Sequence, residues 1–182
     1  VLDGRDVMKL RDVICLIEKR MPLSWAEDWD NPGLQVGDPD SEISKIGIAL
    51  DVTEDTVGKA SERGCDLLVS HHPIIFRPIR NIITDRPASK AVINAIKNGL
   101  SLYAAHTNWD SSPEGVNFTL AELLGLDDAV PLTAPSDVSS WGMGAVGELM
   151  MPMPLETVMR LIKERWSLSY CRAYVTGPAM IK

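Results

Sequence analysis

The sequence predicts an α/β fold with a largely parallel central sheet and helices packed on it. Two observations carry this. Apolar runs that read as buried strands (Ile46–Leu50, Cys65–Ser70, Leu100–Ala105) alternate with segments of helical period, in the order α-β-α-β-α-β-α up to about Leu124. The helical segments also close on glycines, Gly64, Gly99 and Gly125, the residue type that ends a helix without steric cost.

The first helix is expected over residues 5–20, where Val7, Leu10, Val13, Ile14, Leu16 and Ile17 form one stripe that stops before Pro22. Trp25–Gly37 mixes acids and turn formers with a short apolar tail and reads as a structured loop entering a strand. The strand Ile46–Leu50, a helix over Glu54–Arg63 and the strand Cys65–Ser70 follow. A loop holding Pro73, Pro78 and Pro87 then leads to a helix over Ser89–Asn98 and the strand Leu100–Ala105. Ser112-Pro113-Glu114 resembles an N-cap, a proline at the first helical position and a first-turn acid, opening a helix to about Leu124. Residues 127–143 are rich in proline, serine and glycine and read as a loop. A smaller β-α-β unit is expected after them: strand Ala145–Met150, helix Leu155–Trp166 and strand Tyr170–Thr176. The expected domains are therefore 1–130 and a partial second α/β lobe, 131–182. The chain stops at what reads as the approach to a further strand, so it is expected to be part of something longer.

At 182 residues the chain can bury one full core or two small lobes. A net charge of -7, with 18 scattered basic residues, argues against a nucleic-acid-binding face, which needs clustered Lys and Arg. No apolar stretch approaches the roughly 20 residues of a spanning helix, and no signal-peptide pattern begins the sequence, so no membrane partner is expected. Cys15, Cys65 and Cys171 are odd in number and far apart; they read as small buried side chains in a reducing, cytoplasmic protein.

The chemistry concentrates in the loops after two strands. The sequence has only three histidines: His71-His72 directly follows one apolar run, and His106 follows another, with Asp110 four residues later. In open parallel sheets ligands collect at the carboxyl ends of strands. Neutral imidazole and carboxylate are a natural set for a divalent cation such as Zn, Mn, Fe, Co or Ni. A single histidine at a strand end is more often a hydrogen-bonded loop residue, but a doublet with a third histidine and an aspartate on the same rim favours metal. Adjacent side chains on a strand point to opposite faces, so His71 and His72 can share a metal only if the backbone leaves strand geometry there. The set could serve one or two cations. Asn31-Pro32-Gly33 is equally plain turn chemistry or part of a site, with Asn31 a candidate substrate contact. Arg77 and Arg80 are candidate contacts for an anionic substrate group, or ordinary solvated loop charges. No Gly-rich phosphate loop and no Ser/His/Asp set is present.

Three blocks, Asp30-Asn31-Pro32-Gly33-Leu34-Gln35-Val36-Gly37, Ser70-His71-His72-Pro73 and His106-Thr107-Asn108-Trp109-Asp110, together resemble the NIF3-like family, whose members are also described as GTP cyclohydrolase type 2 homologues or dinuclear metal centre proteins. The resemblance covers most of residues 5–126 and is looser over 145–176. It implies two intertwined α/β lobes, a ring-shaped hexamer and two divalent metal ions. Carried over by position, His71, His72 and Asp110 would be ligands, Asp110 the bridge, and His106 a ligand or near neighbour. The family also draws an H-x-x-x-E pair from its C-terminal region; this chain has no histidine after His106, so it is either a fragment or a degenerate member. The expected function is a metal-dependent hydrolase acting on a small molecule, with a nucleotide as the class the family's description implies. The alternative is a non-enzymatic, metal-binding oligomeric scaffold.

Overall fold

The computed structural model describes residues 7–136, 138–177 and 180–182. The chain divides into two compact units, Val1–Trp109 and Asp110–Lys182, whereas composition alone placed the boundary near 130.

In the first unit, β1 (Met8–Lys9) leads into α1 (Leu10–Arg20); the start of the stripe expected from residue 5 lies partly outside the described residues. A 3-10 turn, Leu23–Trp25, precedes β2 (Gly33–Val36), β3 (Glu42–Ile43) and β4 (Ile46–Ala49). Then come α2 (Glu54–Glu62), β5 (Leu67–Ser70), α3 (Pro87–Lys97), β6 (Ser101–Ala104) and the short α4 (Thr107–Asp110). The α2 start is fixed by a capping box, in which the Thr53 hydroxyl accepts from the Thr56 N–H and Thr56 reaches back to the Thr53 backbone.

The main sheet has the order β2-β6-β5-β4. Strands β4, β5 and β6 are parallel, with Ile46 opposite Leu67 and Leu67 opposite Ser101, while β2 joins β6 antiparallel through a register shift between Leu34 and Val36. Every residue of β6 is buried because both faces are covered. Leu68 and Leu102 pack with Val57, Ala60, Ala91 and Ala95 from α2 and α3. Leu67 and Tyr103 point the other way, onto Leu10 and Val13 of α1. The expected α/β architecture with a largely parallel sheet is what the chain adopts.

The second unit departs more from expectation. The helix after Ser112 begins at Val116, not Pro113: the Gly115 N–H donates to the Ser112 carbonyl, closing a separate turn before α5 (Val116–Leu124). Residues 127–130 are not loop but part of β7 (Leu126–Val130), which pairs antiparallel with β8 (Val146–Leu149). The Asp127-Asp128 pair disguised the strand; a register shift there lets Asp128 take a left-handed φ of 50° without ending the pairing. Strand β9 (Met153–Pro154) leads into α6 (Leu155–Arg165) and pairs antiparallel with β10 (Met180–Ile181), so the pairings of this unit are antiparallel and not a parallel β-α-β. The strand expected over Tyr170–Thr176 does not form, because no neighbouring strand among the described residues offers it a ladder. Among the described residues no helix is long and apolar enough to cross a membrane. The three cysteines are free, but Cys15 is exposed on α1 rather than buried; Cys65 packs against the core.

Candidate metal centre

The parallel ladder carries the chain to a common rim. Beyond β4 lie Leu50 and Asp51, beyond β5 the His71-His72 pair, and beyond β6 Ala105 and His106. The ladder overruns the strands: the N–H groups of His71, His72 and Ala105 donate to the carbonyls of Ala49, Leu50 and Ser70 at 3.2, 3.0 and 2.8 Å. Strand β5 nonetheless ends at Ser70, whose hydroxyl donates to the His72 carbonyl at 2.9 Å and bends the chain. This is the departure from strand geometry that the doublet requires. It brings the His71 and His72 rings to 4.9 Å between centroids.

His106 completes the group, its ring centroid 5.1 Å from that of His71 and 5.6 Å from that of His72. Its position is set by two buried polar residues. The fully buried Asn108 accepts from the His106 N–H at 3.0 Å and donates to the Met21 carbonyl at 2.8 Å. Thr107 accepts from the Glu27 N–H at 3.0 Å and donates to Asp30 at 2.5 Å.

Each imidazole is oriented through Nδ1. His71 Nδ1 lies 3.0 Å from the Ala105 carbonyl, His72 Nδ1 2.7 Å from Asp51 Oδ1, and His106 Nδ1 2.8 Å from Asp30 Oδ1. A carbonyl and two carboxylates only accept, so Nδ1 is the donor in each of these contacts and Nε2 is the nitrogen it leaves for a metal. This arrangement, imidazoles oriented by outer oxygens, is how metal-binding histidines are prepared. One ligand atom from each histidine lies within 4.8 Å of the others, a spacing that a single cation can bridge. The donor set therefore fits a borderline divalent metal.

Asp30 is the most constrained of the outer groups, its side chain having no solvent exposure. Burial alone would raise its pKa. The Thr107 hydroxyl, the His106 ring and the backbone N–H groups of Asn31 and Thr107 outweigh burial and hold the carboxyl below its ordinary value of 3.8. Neither Asp30 nor Asp51 stood out as an orienting residue in the sequence. Both sit where chain leaves or enters the sheet, at Asp51 just past β4 and at Asp30 just before β2. That was the available signal.

The other sequence candidates fall as follows. Asp110 ends α4, and the Asn117 side-chain amide donates to its backbone carbonyl at 2.9 Å. The Asn31 amide donates to the Ile75 carbonyl at 2.5 Å, tying its loop to the segment after His72-Pro73. Arg77 and Arg80 line an open cleft of roughly 520 Å³ formed by residues 74–92. Phe76, on the wall of that cleft, stands edge-on to His106 at 6.5 Å and to Trp29 at 6.0 Å.

Known proteins share this pattern of sequence and fold. A Clostridium perfringens protein named GTP cyclohydrolase 1 type 2 homolog is 42% identical over 156 residues, covering 86% of this chain and 60% of the relative. A like-named protein of Clostridium acetobutylicum is 37% identical over 168 residues, covering 90% of this chain and 63% of that one. The chain thus spans about three fifths of the length of these relatives. Among solved structures, Staphylococcus aureus protein SA1388 superposes with a TM-score of 0.81 at 27% identity, over 90% of this chain and 66% of that one. Reduced HcgD from Methanocaldococcus jannaschii gives 0.76 at 37% identity, over 88% and 61%. The family model described as Duf34/NIF3 (NGG1p interacting factor 3) matches residues 8–182, all but the first few residues of the chain, and with the three-histidine rim and the shared fold this makes the chain a member of that family.

Proposed function

We propose that this protein is a divalent-metal-dependent hydrolase that acts on a small molecule, with a nucleotide as the class suggested by the relatives' name, GTP cyclohydrolase 1 type 2 homolog. The observation that carries the proposal is the convergence of three imidazoles, one ligand atom of each within 4.8 Å of the others, whose Nδ1 atoms are all engaged by oxygens. His71, His72 and His106 would hold the metal. Asp110, four residues past His106 in the sequence, is the carboxylate we carry forward as bridging ligand if two cations bind. A bound divalent cation supplies Lewis acidity, lowering the pKa of a water toward neutrality so that it can attack an electrophilic centre.

The chain's own residues supply position. Asp30 and Asp51 hold the His106 and His72 rings, and the Ala105 carbonyl holds His71. Three protein donors are the ligand number of catalytic rather than structural metal sites, so His71, His72 and His106 would hold a cation able to supply Lewis acidity. Arg77, Arg80 and Asn31 are the proposed substrate contacts.

A second reading, an oligomeric metal-binding scaffold, is favoured by the edge strand β4, where Ile46, Ile48 and the adjoining Leu50 are exposed, Ile48 to 87%. Homo-oligomerisation, a hexamer by family resemblance, would cover them. Either form would act in the cytosol, where free cysteines persist.

Elemental analysis of the purified protein beside His71→Ala/His72→Ala, followed by assay of GTP turnover with and without chelator, tests the reading. Near-stoichiometric transition metal in the wild type, lost in the double variant, with turnover that vanishes on chelation, is the expected result. Metal without turnover, and an assembly that survives chelation, would move the assignment to the scaffold. No metal after reconstitution would remove both.

A further inference from the structure

We propose that the cleft lined by Arg77, Arg80 and Arg86 is a phosphate-binding subsite that anchors a phosphomonoester or polyphosphate beside the histidine rim; its place in a reaction rests on the metal-site reading, its anion binding does not. Three arginines between positions 77 and 86 line one cavity of roughly 520 Å³ in a chain whose net charge is -7. Clustered like charges repel, and the usual remedy is an interleaved carboxylate. Four basic side chains elsewhere do find one: Lys9 with Glu42, Lys59 with Asp55, Arg11 with Asp40 and Lys90 with Glu54. Asp85 adjoins Arg86 in the sequence, but among the described residues none of the three exposed cleft arginines forms an ion pair. Guanidinium is the group whose planar fork matches phosphate oxygens in pairs, and weak hydration makes it the cation of choice for that contact.

Two further features suit the same ligand. Helix α3 begins at this cleft, and its first intrahelical acceptor bond runs from the Lys90 N–H to the Arg86 carbonyl. The Ala88 and Ser89 N–H groups of the first turn therefore lack helical acceptors, and both residues line the cleft. Phe76 forms the wall between cleft and metal rim, its ring 6.5 Å from that of His106, while Trp29, 59% exposed, stands 6.0 Å from Phe76 and 6.2 Å from His106. A molecule held by its phosphate at the arginines would cross these aromatic faces to reach the three imidazoles.

The test begins with chelator-treated protein titrated with inorganic pyrophosphate by calorimetry. Saturable binding that weakens with salt is expected, falling about tenfold for each of Arg77→Ala, Arg80→Ala and Arg86→Ala, the size of one charge-assisted hydrogen bond, and unchanged in Arg63→Ala, an arginine outside the cleft. Absence of binding, or binding that survives in the triple alanine variant, overturns the proposal and leaves the hydrolase reading standing. If the triple variant fails to fold, single Arg→Lys changes carry the same test, since they keep the charge and remove the fork. An aromatic phosphomonoester, p-nitrophenyl phosphate, is then compared with inorganic phosphate. Tighter binding of the aromatic ester supports a substrate anchor against Phe76 and Trp29; equal binding would assign the cleft to free phosphate and overturn the anchoring role.

Discussion

Asp30 shows how much one side chain can organise. Its two oxygens accept from the Thr107 hydroxyl and N–H and from the Asn31 N–H, and one faces His106 Nδ1. Its side chain shielded from solvent, it joins the loop before β2 to the turn after β6 and orients one ring of the histidine cluster. Replacing it with asparagine keeps the volume but removes the charge and substitutes an N–H₂ for one accepting oxygen. If the three imidazoles bind metal, Asp30→Asn should weaken affinity about ten- to a hundredfold, the usual range for an outer partner of a ligand histidine. Competition against a chromophoric chelator reads this directly. Unchanged affinity would mean that His106 is not a ligand. Asp51→Asn should cost less, because the His72–Asp51 pair is about half exposed and water can take over the orienting bond.

At the scale of elements, Asp66 controls the entrance to β5. Its carboxylate accepts from the Ser44 and Lys45 N–H groups and the Ser44 hydroxyl at 2.8–2.9 Å, and its carbonyl accepts from Ser101, joining three strands at their amino ends. Burial would raise its pKa, but the Ser44 and Lys45 N–H bonds, the Ser44 hydroxyl and the Lys45 charge hold it below 3.8. A carboxyl with a depressed folded-state pKa contributes stability that is present above the unfolded value and lost as pH falls through the folded value. Asp66→Asn should therefore cost about 1–2 kcal/mol at neutral pH, and the gap to wild type should begin to narrow below about pH 4. Urea titrations at pH 7 and pH 3 decide it; a gap as large at pH 3 as at pH 7 would assign the effect to shape rather than charge.

The same scale explains what the sequence disclosed. Strands β5 and β6 were legible because burial on both faces demands unbroken apolar runs, β4 because its run is apolar although one face is exposed, and the histidines because a scarce residue at two such ends is conspicuous. Asp30 and Asp51 were not, since 25 acids populate the chain and only the tertiary fold brings position 30 to position 106. Strand β7 was hidden by two adjacent aspartates that a register shift accommodates, and the strand expected at Tyr170–Thr176 had residues of the right type but no ladder to join. Local pattern fixes which segments can be strands; pairing decides which are.

For the molecule as a whole, the three histidines belong to one of the two compact units, the one ending at Trp109, so metal binding should stabilise that unit selectively. A ligand that binds only the folded state adds RT ln(1 + [L]/Kd), about 2.7 kcal/mol at a hundred times Kd. For a unit of this size that corresponds to an upward shift in Tm of roughly 10 °C, somewhat less if the unfolded histidines retain affinity. Differential scanning calorimetry of chelated and metal-loaded protein should show the shift in wild type and not in His71→Ala/His72→Ala. Hydrogen exchange adds location: the amides of His71, His72 and Ala105, which extend the parallel ladder past its strands, should gain protection, while those of α6 should not. Equal shifts in wild type and double variant would place the cation elsewhere, and protection spread evenly over both units would show that the metal stabilises the chain without using this rim.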